Sequence, residues 1–183
     1  DSYYFAYHCC PVTNSLQRIF WASPEHIKHV QKYGKVLMLD ATHGTNLFSM
    51  QLIFVTMINE YGKSTVGGYG LLLEETTEAW AWFLEQLKCS NGVSPSAIHT
   101  DESMAMSNAI LQVFPSAKHF LCEFHLALQN FCKNIKGYFP VKAEWINVLN
   151  KFWNIVAESD IRSTDTFDKE WIEFLKLMPI NAL

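Results

Sequence analysis

The chain has 183 residues, of which 49% are hydrophobic and 17% charged, enough to bury a real core and too apolar for a disordered tail. Its formal net charge of -4 provides no basic stripe for holding a phosphate backbone, so any nucleic-acid contact must use local patches or the rest of a larger protein. No stretch is apolar for long enough to span a bilayer, and five scattered cysteines (Cys9, Cys10, Cys89, Cys122, Cys132) suit a reducing compartment better than a secreted disulfide framework.

The sequence opens on Asp1 rather than Met and without a secretory signal, which suggests a piece of something longer. Tyr3 to Tyr7 and Leu16 to Trp21 predict two short strands joined by a turn around Pro11 to Asn14, an aromatic hairpin. Ser23-Pro24-Glu25 places a capping hydroxyl, a first-turn proline and an acid before a helix that Gly34 should end after Tyr33. Val36 to Asp40 follows as the first core strand. Gln51 to Ile58 and Ser64 to Leu73 bracket the turn residues Asn59-Glu60-Tyr61-Gly62, which makes three sequential antiparallel strands.

Thr76 or Thr77 should cap a helix with Trp80, Phe83, Leu84 and Leu87 on one face, stopped by Asn91-Gly92. A fourth strand, Ala97 to Thr100, ends at Asp101. Ser103 to Phe114 predicts a helix with Met104, Ala105, Ile110 and Val113 inward, closed by Pro115, and Lys118 to Cys122 a fifth strand. From Leu126 onward the pattern is helical. Leu126 to Ile135 forms one segment; Trp145, Val148, Leu149, Phe152, Trp153 and Val156 mark a second, and Phe167, Trp171, Phe174, Leu175 and Met178 a third. These aromatic stripes are expected to be core. The expected organisation is a lead-in hairpin and helix over 1–34, an α/β core over 35–137, and the start of a helical insertion over 138–183.

Three antiparallel strands followed by helical crossovers put the fourth strand beside the first. That is the order of the ribonuclease-H-like fold, and it brings Asp40 and Asp101 to one end of the sheet. Hard cations such as Mg2+ or Mn2+ want oxygen ligands, and two such ions about 3.5–4 Å apart can serve an in-line phosphoryl displacement. A third carboxylate generally completes such a cage. Each aspartate alone would be read as a turn or capping residue: Asp40 before Ala41-Thr42, and Asp101 before the helix at Glu102. Cys122 and His125, at C-x-x-H spacing, could form half of a zinc site completed by His8, Cys9 and Cys10, although nothing else shows paired ligand spacing. His125 orienting a carboxylate is preferred over zinc, with contact to a phosphate as a further alternative.

Four runs, taken in order, resemble the Mutator-like element (MULE) transposase domain: Leu37-Met38-Leu39-Asp40-Ala41-Thr42-His43-Gly44-Thr45-Asn46; Gly70 to Glu78; His99-Thr100-Asp101 with Ala105 and Val113-Phe114-Pro115; and Leu121-Cys122-Glu123-Phe124-His125. The resemblance extends over roughly Leu16 to Ile135, and related proteins include plant far-red-response transcription factors and animal SWIM-type zinc-finger proteins. It implies a DDE core in which Asp40 and Asp101 are the first two acids and hold Mg2+ or Mn2+, with Cys122 and His125 as the family's C-x-x-H signature. It also implies strand cleavage and transfer on DNA, with water and then a DNA 3′ hydroxyl as nucleophiles, a nuclear location, no membrane contact, and room for a homo-oligomer. The third acid, a Glu, is expected after the helical insertion. Glu144, Glu158, Glu170 and Glu173 are the late candidates, but the resemblance places it beyond Leu183. A domesticated, non-catalytic descendant acting in transcription or partner binding is the alternative. An aspartate-nucleophile phosphohydrolase is weaker, because Asp40-Ala41-Thr42 lacks an acid two residues after the nucleophile.

Overall fold

Backbone pairing joins seven strands into one sheet. A computed structural model describes residues 2–101, 103–123, 125–157 and 163–179. The strands are β1 (Tyr4–Cys9), β2 (Leu16–Ala22), β3 (Val36–Thr42), β4 (Gln51–Ile58), β5 (Ser64–Leu72), β6 (Ala97–Thr100) and β7 (Lys118–Leu121), in the spatial order β1-β2-β5-β4-β3-β6-β7. β3, β4 and β5 form the expected antiparallel meander, and β6 lies parallel to β3, as the crossover argument required. β7 runs parallel to β6 on the far edge. The aromatic hairpin β1–β2 extends the sheet from the other side through antiparallel pairing of β2 with β5.

Three helices join these strands: α1 (Pro24–Tyr33), α2 (Thr77–Asn91) and α3 (Met104–Val113). Each starts on a hydroxyl that accepts a backbone N–H: Ser23 from His26, Thr76 from Ala79 and Ser103 from Met106. Gly92 ends α2 in the left-handed region at φ 68°, where a side chain would be strained. Phe20, Leu37, Ile53, Val55, Phe83, Leu84, Leu87, Ile98 and Ile110 form the core. Gly70 lets Phe83 approach the sheet, since a Cβ there would lie 2.4 Å from the Phe83 ring. One expectation fails in α3. Met104 is 77% exposed, and Met106, Ala109, Ile110 and Val113 are the buried set, because the helix begins at Met104 and its inward stripe is phased from Met106.

The chain divides into two compact units, the first ending at Cys122 and the second beginning at Glu123. In the second, a π-helical segment His125–Cys132 passes into α4 (Lys133–Ile135) and a 3-10 turn Lys136–Tyr138, followed by α5 (Lys142–Ala157) and α6 (Thr164–Leu175). Trp145, Val148, Phe152, Ile155, Phe174 and Met178 are buried there, so the aromatic stripes are core, as read. Phe131 stacks on Phe152 at 4.1 Å between ring centres.

Candidate active site

Asp40 lies inside β3 rather than at a turn, paired in register with Phe54 of β4, and the strand continues through Thr42. The parallel ladder between β3 and β6 matches Val36 with Ala97, Leu37 with Ile98 and Met38 with His99. Two residues further along each chain stand Asp40 and Asp101, an equal step past the last pair on neighbouring strands spaced about 4.8 Å apart. Leu37, Leu39, Ile98 and Thr100 are all buried on the core face. Strand alternation therefore assigns Asp40 to the opposite face of β3, near its carboxyl end, and Asp101 is the residue that directly follows the carboxyl end of β6.

Asp101 does not cap α3, because Ser103 does so. What the Asp101 backbone does receive is support: its carbonyl accepts from Ser103 N–H at 3.0 Å and from the Thr100 hydroxyl at 2.8 Å. Cys122 N–H donates to the Thr100 carbonyl at 2.6 Å. The Asp101 carboxylate is different. Its Oδ1 is buried and has no hydrogen-bond partner among the described residues. A buried acceptor left this way calls for an explanation, and a hard cation between oxygen ligands is one that suits the donor set of Asp40 and Asp101.

The zinc alternative lacks its ligands. His8 and Cys9 lie on β1, and Cys122 follows β7 at the opposite edge, six strand spacings or roughly 29 Å away. The described residues contain no group of three or more His, Cys, Asp or Glu able to hold a metal ion. Cys122 is a half-buried free thiol, and His125 opens the π-helical segment of the second unit. Among the late acids, Glu144 sits in the first turn of α5, Glu170 and Glu173 lie on α6 with Glu173 paired to Lys176, and Glu158 falls outside the described residues.

The loop after Asp40 is held by Asn46, whose Oδ1 accepts from Phe48 N–H (3.1 Å) and Met50 N–H (3.2 Å) while its amide donates to the Met50 carbonyl (2.7 Å). This presents Leu47 and Phe48 to solvent, 99% and 78% exposed. Nearby, His43 pairs with Glu75 at 3.3 Å. Sequence reasoning missed His119, whose Nε2 lies 2.7 Å from the Thr100 hydroxyl. Burial, then the neighbouring His99, holds the His119 ring below its ordinary pKa. No spacing motif marks this contact, which is made by the pairing of β6 with β7.

Comparison with known proteins adds a family match: residues 36–129, just over half of the chain, match the family model described as MULE transposase domain. Protein FAR1-RELATED SEQUENCE 5 of Arabidopsis thaliana is 25% identical over 162 residues, 88% of this chain and 20% of that protein. FAR1-RELATED SEQUENCE 11 of the same plant is 31% identical over 110 residues, covering 60% of this chain and 16% of the relative. FAR1-RELATED SEQUENCE 6 is 32% identical over 100 residues, 55% and 14% respectively. The chain thus spans about a fifth or less of the length of these relatives.

Proposed function

The chain belongs to the MULE transposase domain family, and from that premise we propose that it is a catalytic core, or part of one, for cation-dependent DNA strand cleavage and transfer. The observation that carries this reading is the equal step of Asp40 and Asp101 past the last β3–β6 pair on neighbouring parallel strands. The strand order β5-β4-β3-β6-β7, antiparallel for the first three and parallel for the last two, supports a ribonuclease-H-like core extended by the β1–β2 hairpin. Pairing of β3 with β4 holds the Asp40 backbone, and hydrogen bonds from the Thr100 hydroxyl and the Ser103 N–H hold that of Asp101, before substrate arrives, so little reorganisation is needed on binding. Asp40 and Asp101 would hold Mg2+ or Mn2+, which supplies charge neutralisation and Lewis acidity at a phosphodiester. DNA is then the partner of the whole protein, and the nucleus its place of work.

A second reading, a domesticated descendant that regulates transcription or binds partners without cutting, is favoured by the FAR1-related names of the relatives. One experiment separates the two. The full-length parent is incubated with Mn2+ and DNA carrying its element ends, beside Asp40→Asn and Asp101→Asn. The first reading expects cutting by the parent and none by the folded variants. No cutting by the parent favours the second, and equal cutting by all three rules out the acid assignment.

A further inference from the structure

Among the described residues the Asp101 Oδ1 atom has no hydrogen-bond partner to fix its direction, which leaves the backbone from which the side chain departs to set its aim. That backbone is held from behind. Thr100 is 1% exposed, and its single hydroxyl proton has two polar neighbours, the Asp101 carbonyl oxygen at 2.8 Å and His119 Nε2 at 2.7 Å. A carbonyl oxygen can only accept, so the hydroxyl proton goes to Asp101. The hydroxyl oxygen must then accept from His119, which requires the ring to carry its proton on Nε2. The chain of donors runs from His119 on β7, through Thr100 on β6, to the peptide plane of Asp101. Ser103 N–H is the second donor to the same carbonyl.

We propose that His119 is a positioning residue for Asp101, acting through the Thr100 hydroxyl; as a statement about cation binding, this rests on the reading of Asp40 and Asp101 given above. Groups hydrogen-bonded directly to metal ligands are worth about 10–100-fold in metal affinity where they have been removed. His119 acts one step further out, through Thr100 on the Asp101 main chain, so its effect is set at the lower end of that range.

The test uses the full chain in three measurements. Ring 15N signals report the tautomer of His119, and the Nε2–H form is expected; the Nδ1–H form overturns the proposal. Mn2+ titration should show binding about tenfold weaker in His119→Leu, with most of it restored in His119→Gln, whose amide can still donate. Mn2+ affinity in His119→Leu equal to that of the unchanged chain overturns the proposal. Should His119→Leu fail to fold, Thr100→Val, which removes only the hydroxyl, is expected to show the same loss and Thr100→Ser to recover it. Unchanged affinity in Thr100→Val is equally contrary. Asp101→Asn is the control for the underlying reading. If it binds Mn2+ like the unchanged chain, the cation assignment falls, and His119 is judged on its tautomer and on Ser103 amide exchange. That exchange should be faster in His119→Leu than in His119→Gln, and equal exchange in the two contradicts the role.

Discussion

The sheet unit and the helical unit bury similar kinds of side chain and handle their acids differently. In the first, Phe20, Trp80 and Phe83 pack edge to face beneath a sheet whose strands carry Asp40 and Asp101 to one rim. In the second, Phe131, Phe152 and Phe174 form an aromatic core, while Glu144 and Glu173 lie exposed on helices and Glu173 is satisfied by Lys176. A strand ladder fixes the spacing of acids contributed from distant sequence positions. An exposed helical acid is free to choose rotamers in solvent. The sheet unit thus places two acids at defined positions on neighbouring strands, whereas the helical unit leaves its acids on solvent-facing helix surfaces.

The largest effects that probe this comparison are in the two cores. Phe83→Ala and Phe152→Ala are each expected to cost about 3–5 kcal/mol in denaturant unfolding, since both rings are buried. A negligible cost at Phe152 would show that the helical unit has no comparable core. Gly70→Ala comes next. The new methyl meets the Phe83 ring, with an expected loss of about 1–3 kcal/mol, and Gly70→Ala combined with Phe83→Leu should recover part of it. Simple additivity of the two changes would contradict that contact.

The smallest effect is a pH dependence confined to the sheet unit. His26 Nδ1 accepts from Ser23 N–H, completing the capping box of α1, and burial followed by the nearby His29 charge lowers its pKa, against an opposing pull from Glu25. A histidine whose folded pKa is depressed contributes stability that is present above its unfolded value near 6.5 and lost as pH falls through the folded value. Tm should therefore decline slightly on acidification below about pH 6.5. The decline should be weaker in His26→Gln, which keeps an acceptor and does not titrate; an identical pH profile in the variant would contradict the assignment.

Much of the sheet was legible because local signals agreed. Ser23-Pro24, Thr76 and Asn91-Gly92 set the limits of α1 and α2, and the run from Val36 to Leu39 delivered Asp40 on a strand. The long-range partners were less so. Nothing in Leu16 to Trp21 announces that β2 pairs with β5, a partner much further along the chain, or that Phe20 meets Phe83 of α2 in the core. Met104 was misplaced because it is the first residue of α3, where it stands 77% exposed, whereas Ile110 and Val113 of the same expected stripe are buried and Ala105 packs against the core. At the site, the aspartates could be read from strand ends, but the Thr100–His119 contact could not. It joins residues 19 apart whose proximity is created only when β7 docks on β6.

The claim at the centre of the account is that Asp40 and Asp101 grip the same cation. Paramagnetic broadening by substoichiometric Mn2+ tests it residue by residue in the NMR spectrum of the chain. The amide signals of Asp40 and Asp101 should broaden together at the lowest Mn2+ additions, and both should survive those additions in Asp101→Asn. Broadening of one without the other, or at neither while acids elsewhere respond first, would contradict it.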